Sequence, residues 1–173
     1  MENKENLKKQ APAEQYVWEF TNQKKLNKKE FIDYFERKIF RTIRKSKMLP
    51  KNRVIKLKKS AETNYLVLKS VLEQKFKVIN GNDFVSINLS ELAERVFVQI
   101  LKGNFYFSSI LNVNAPLYYL SDTEIKLYAK LKTIKGKERK INKKVRLLFN
   151  KFIKKNQDLE INIIKAANQF TNI

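Results

Sequence analysis

RVIKLKKSAETNYLVLKSVL, from Arg53 to Leu72, is the stretch that decides the fold. Val54, Ile55 and Leu57 form a short apolar, β-branched run bounded by a polar turn, which predicts a strand. Leu68, Val71 and Leu72 then recur at helical spacing, which predicts an amphipathic helix. Ser60 stands between them as the expected N-cap, its hydroxyl accepting from a free amide of the first turn. A strand that feeds a helix N-terminus through a turn commonly holds a phosphate, because free amides and the helix dipole both favour an anion there. This turn is built to refuse one. Ala61 and Glu62 carry side chains where glycines would let the backbone wrap an anion. Glu62 also sets its own negative charge at the positive end of the helix.

The surrounding chain has 173 residues and is 43% apolar, enough for one domain with a core of its own. Against 17 Asp and Glu stand 37 Lys and Arg, a net charge of +20. A field of that strength points to a polyanion, nucleic acid above all. Abundant Lys, Asn and Ile also fit a compositional bias of the source genome. Cys and His are both absent. That excludes disulfides, thiolate or imidazole metal sites, cysteine-held iron–sulfur clusters, and Cys or His as nucleophile or base. No apolar run reaches membrane-spanning length, and residues 1–10 lack the apolar segment of a signal peptide. A cytoplasmic protein with no membrane contact is expected.

Two domains are expected: a flexible N-terminal part over 1–25, and a body over 26–173 whose C-terminal part is basic and helical. In the first, Tyr16, Val17, Trp18 and Phe20 suggest a short hairpin or a strand laid on the body. Asn27 and Glu30 have the spacing of a capping box, and a helix is predicted from about Lys28 to Lys47, ended by Pro50. Phe31, Phe35, Ile39 and Ile43 give it a core-facing stripe. Gly81 marks a turn between strands at 77–79 and 84–87. Asn88, paired with Glu91, starts a helix that Gly103 stops; Leu89, Leu92, Ala93, Val96, Ile100 and Leu101 form its apolar side. Residues 105–114 read as a strand or an ordered loop. Ser121 and Glu124 form another capping box, followed by Ile125, Tyr128 and Ala129. After the basic run Lys132–Lys144, a helix with Val145, Leu148, Phe149 and Phe152 inside and an amphipathic tail, Ile161–Phe170, complete the chain.

The order of these pieces resembles the ATP-pyrophosphatase (PP-loop) tRNA thiolases, the TtuA/TtcA-like family. Their S-G-G-K-D-S loop becomes Ser60, Ala61, Glu62, Thr63, Asn64 and Tyr65, of which only the serine is kept. Leu26–Phe31 resembles the end of their zinc ribbon with both ligands replaced. Phe35–Ile39, Arg41–Lys45 and Lys47–Leu49 resemble their F-E-K-K-V, R-T-I-R-K and K-M-L segments. Asn88, Leu89, Glu91 and Ala93 match G-H-N-L-D-D-E-A, and Leu101 and Gly103 match N-L-L-R-G. Pro116, Leu117, Glu124, Ile125, Tyr128 and Ala129 match P-L-x-x-L and E-I-x-x-Y-A. The likeness runs from about Leu26 to Phe170, with much of the segment after the loop helix deleted.

The resemblance implies a degenerate, shortened member of that family. Its fold would be α/β, a reduced adenine-nucleotide-alpha-hydrolase-like domain with a small parallel sheet and mostly helical surroundings. The family adenylates a tRNA base and exchanges oxygen for sulfur, which calls for phosphate-binding donors, cations and magnesium-linked acids. With the loop residues and cysteines replaced, the expectation is a chain that is not an enzyme, with no catalytic residue, cofactor or metal. It would bind tRNA, or a catalytic thiolase homologue as its partner subunit, in tRNA modification. A general basic RNA-binding or ribosome-associated protein stays open as the alternative. The expected RNA-binding residues are Arg37, Arg41, Arg44, Lys45, Lys102, Lys137, Arg139, Lys140, Lys143, Lys144 and Arg146, set to meet phosphates. Tyr118, Tyr119 and Phe105–Phe107 are candidates to stack on unpaired bases.

Overall fold

The computed structural model describes residues 15–50, 52–153, 156 and 158–171; of the flexible part expected over 1–25, residues 1–14 lie outside them. In chain order the elements are β1 (Tyr16–Glu19), β2 (Lys25–Asn27), α1 (Lys28–Lys45), β3 (Val54–Leu57), α2 (Thr63–Leu72), β4 (Lys77–Asn80), α3 (Leu89–Leu101), α4 (Ser108–Leu111), α5 (Asp122–Leu131), α6 (Lys143–Ile153) and α7 (Leu159–Thr171). Among the described residues no helix is long and apolar enough to cross a membrane.

The α/β expectation is met. β3 and β4 pair in parallel, from Val54 opposite Lys77 to Leu57 opposite Asn80, with α2 as the crossover that parallel pairing requires. β1 and β2 form an antiparallel hairpin, so the segment before residue 26 is tied by backbone bonds to the start of the body. The predicted strand at 84–87 is reduced to one bridge, Phe84 to Leu57. There Gly81 sets the geometry: a Cβ on it would lie 2.6 Å from that of Lys56.

Capping chemistry fixes the starts of α1, α3 and α5 at the residues the sequence suggests. Asn27 and Glu30 exchange both capping-box bonds at α1, and Ser121 and Glu124 do the same at α5. Asn88 caps α3, but the Glu91 carboxylate turns to Arg95, at 2.6 Å, rather than back to the cap. α1 stops at a cap on Ser46, with Lys47 in the left-handed region at φ 54°, before Pro50 can act. Residues 108–111 make a single helical turn instead of a strand.

Two cores result. In the first, Phe31, Phe35, Ile39 and Ile43 of α1 meet Ile55 and Leu57 of β3, the buried side of α2, and α5. Phe35 stacks on Tyr128 with ring centroids 4.1 Å apart, and the Tyr128 hydroxyl donates to Glu36 at 2.7 Å. In the second, Leu92, Ala93 and Val96 of α3 meet Phe107, Phe149 of α6, and Ile164 and Ala167 of α7. α6 buries only Val145 and Phe149; Leu148 and Phe152, expected inside, are exposed, as are Ile100 and Leu101 at the end of α3. Each of these helices meets its neighbours along a stripe narrower than its apolar pattern.

A buried ion cluster joins the two cores. Arg139, on the segment before α6, reaches Glu94 of α3 with two nitrogens at 2.9 and 3.0 Å. It also reaches Asp122 of α5 at 3.0 and 2.7 Å. Arg146 of α6 adds bonds to Glu94 at 2.9 Å and contacts Asp122 at 3.3 Å and Glu160 at 3.7 Å. Ser90 donates to Glu160 and accepts from the Asp122 amide, both at 2.9 Å. Asn88 donates to Asp122 at 2.7 Å.

Burial acts to raise the Asp122 carboxyl, but Arg139 first, then Asn88 and Arg146, outweigh it and hold the group below its usual 3.8. A carboxyl depressed by folding adds stability above its unfolded value and loses it as pH falls through the folded one. Burial raises the Glu160 carboxyl, with the Ser90 bond and Arg146 opposing and Asp122 and Glu94 adding to the rise.

Three outcomes are expected in chemical and thermal denaturation. Phe35→Ala loses about 3–5 kcal/mol, the cost of emptying an aromatic site. Arg139→Met loses about 3–5 kcal/mol, because buried carboxylates are left short of a partner. Asp122→Asn lowers Tm at pH 7 and flattens its fall below about pH 4 relative to the wild type.

Candidate functional site

The turn between β3 and α2 has the expected strand–turn–helix path, but its cap is not the expected one. Glu62 is the N-cap, in extended backbone and without a side-chain cap bond. Ser60 lies two residues earlier, and its hydroxyl accepts from the Glu62 amide at 3.2 Å, closing the turn rather than the helix. Asn64 and Tyr65 turn inward and are buried. Asn64 Nδ2 finds no acceptor among the described residues.

The chain's own backbone lies across this turn. The Thr63 amide donates to the Lys137 carbonyl at 2.8 Å, and the Lys137 amide donates to Ala61 at 2.9 Å. Gly136 allows the approach. A Cβ there would stand 2.8 Å from both Cα and N of Thr63. The first free amide of α2 is thus engaged internally, and Glu62 faces the same end of the helix. These residues do not fit a phosphate gripped by that turn in the PP-loop manner.

Two clefts flank the ion cluster. The smaller, about 460 Å³, is lined by Glu62, Glu91, Glu94, Arg95, Arg139 and Lys140 among others. Burial raises the Glu91 carboxyl, Arg95 and Arg139 oppose that, and Glu62 adds to it. Among the described residues no group of acidic side chains is placed to hold a metal ion. The larger cleft, about 820 Å³, opens between α1, the β1 hairpin and α6–α7, and Asp122, Arg146 and Glu160 line its wall. The cluster is therefore the partition between the two, with Glu94 and Arg139 on one side. This cleft draws on residues from Trp18 to Ile161, and no local pattern announces it.

The expected RNA-binding residues fall into groups. Arg37, Arg41, Arg44 and Lys45 line the exposed side of α1. Arg37 is paired with Asp33 at 3.1 Å. Arg41, Arg44 and Lys45 have no ion pair among the described residues. Lys137, Lys140, Lys143 and Lys144 are exposed on the covering segment and the first turn of α6, which holds no acidic residue. Lys102 is exposed at the end of α3. Arg139 and Arg146 do not join them. The Arg139 side chain is 5% exposed and that of Arg146 23%, both turned to internal carboxylates. Of the candidate stacking rings, Tyr118 and Phe107 are buried, while Tyr119, Phe105 and Tyr106 are exposed.

No family model and no curated protein matches the chain. Among solved structures, the U34-tRNA thiolase NcsA from Methanococcus maripaludis, with its 4Fe-4S cluster, is similar at a TM-score of 0.75 and 12% identity. The match covers 91% of this chain and 84% of that one. Without cysteine or histidine, this chain lacks the usual ligands for such a cluster. The expectation of a chain that is not an enzyme is corrected here. The fold it shares is that of an enzyme, and the replaced loop residues and missing cysteines do not show inactivity. At this identity the likeness is one of architecture: the α/β chain, with its small sheets and surrounding helices, shares the fold of a tRNA thiolase.

Proposed function

We propose that this protein acts in tRNA modification, binding tRNA along α1 and the lysines of the 137–144 segment, and working as a partner subunit of a PP-loop thiolase homologue. The observation that carries this reading is the row of cations on α1, in a fold shared with a tRNA thiolase. Arg37, Arg41 and Arg44 are spaced i, i+4 and i+7, so they stand on one helix face. Arg41 and Arg44 have no carboxylate to neutralise them among the described residues. Such a row suits phosphate oxygens, which position an RNA without reading its sequence. Lys143 and Lys144 add charge at the positive end of α6, where an anion relieves their repulsion with the helix dipole.

The triple variant Arg37→Glu, Arg41→Glu, Arg44→Glu is expected to bind tRNA at least about 10-fold more weakly at moderate salt. The slope of log affinity against log salt should become shallower by about 0.9 for every phosphate that the variant no longer neutralises. Filter binding over a salt series measures both. Co-elution of the wild type with a purified thiolase homologue and tRNA tests the partnership. Equal affinity for tRNA and unrelated folded RNAs would point instead to a general RNA-binding protein.

A further inference from the structure

The larger cleft is not needed for phosphate binding along α1, and its lining differs from that of an open basic face. Two of its cations, Lys38 and Arg146, are held by carboxylates, Lys38 by Glu124 at 2.9 Å and Arg146 by the ion cluster. The other two, Arg41 and Lys45, stand one helical turn apart on the α1 wall, exposed and without an ion pair among the described residues. Tyr119, which also lines the cleft, is 44% exposed. It rests edge-on against buried Tyr118, with centroids 4.9 Å apart. Phe20, from the β1 hairpin, adds a second ring, braced by Tyr34 at 5.1 Å. Asp158, also in the lining, is an exposed carboxylate with no ion pair among the described residues.

Free cations, aromatic faces and a carboxylate in one concavity match the three parts of a nucleotide: phosphate, base plane and the amino edge of the base. The volume, about 820 Å³, lies in the range of about 300–1,000 Å³ usual for small-ligand sites. Arg41 belongs both to this cleft and to the row on α1, so a strand lying along α1 passes its mouth. Bases stacked in a duplex cannot enter it, but an unpaired one can.

We infer that the larger cleft receives an unpaired nucleotide of the RNA bound along α1, with its phosphate at Arg41 and Lys45 and its base on Tyr119. This rests on the RNA-binding reading above. A free nucleotide has the same chemistry, and the test separates the two sources.

The experiment uses an RNA hairpin with a short unpaired 3′ end carrying 2-aminopurine, the same hairpin made blunt, and AMP. The wild type is expected to bind the overhang form at least about 10-fold more tightly than the blunt form and to quench the 2-aminopurine by stacking. Tyr119→Ala should cost the overhang form about 5- to 150-fold, the range of one base stacked on one ring, and leave blunt binding unchanged. Tyr119→Phe should keep most of the affinity. Because Tyr119 is exposed, both variants are expected to stay folded, and circular dichroism checks it. Equal binding of both hairpins without quenching overturns the inference and leaves RNA binding standing. Binding of neither hairpin overturns both. Saturation by AMP that depends on Tyr119, with no preference for the overhang, assigns the cleft to a free nucleotide and also overturns it.

Discussion

Arg139 is the residue through which the two cores hold each other. Its guanidinium meets Glu94 of α3 and Asp122 of α5, each on a helix that supplies one of the two cores, with both carboxylates almost fully enclosed. Charges so placed give little net stability, because desolvating them offsets much of their attraction. Their effect is on geometry. A planar fork satisfied on two sides admits few arrangements, so it fixes how α3 and α5 approach. Arg146 and Ser90 extend the constraint to α6 and α7. The two clefts lie on either side of this polar partition.

The same segment that brings Arg139 inward also passes over the first turn of α2. Lys137 bonds to Ala61 and Thr63, and two residues later Arg139 enters the cluster. One short stretch thus closes the turn and locks the helices. The closure is made by backbone at Gly136 and Lys137, a contact separate from the side chains of Ala61 and Glu62 on which the sequence reading rested. The contact satisfies the Thr63 amide, one of the donors that a helix N-terminus leaves without an intrahelical partner.

Much of the architecture was legible because its signals are local. Phe31, Phe35, Ile39 and Ile43 repeat within one helix, and the Asn27–Glu30 and Ser121–Glu124 boxes operate over three residues. The apolar runs that become β3 and β4 are local too, while their parallel pairing was expected only from the family resemblance. What depends on distant partners was not legible. Ser60 lost its capping role to Glu62 in a turn whose helix-side amide bonds to a residue far along the chain. In a run of lysines and arginines, nothing marks Arg139 and Arg146 as the ones whose acids lie 45 and 52 positions away. Leu148 and Phe152 share the period of Val145 and Phe149, and only the width of the contact with α3 and α7 leaves them outside. The larger cleft, assembled from both ends of the chain, has no counterpart in any single stretch.

The division of the cores along the chain also sets an order of assembly. Every buried residue of the first core lies between Leu26 and Ala129, whereas the second is closed by Phe149, Ile164 and Ala167. During synthesis the earlier part can collapse on itself while α3 still shows the apolar side that α7 will cover. Until that helix emerges, Leu92 and Val96 face water on a body otherwise folded. The nascent chain is therefore most exposed to wrong association in the interval between α5 and α7.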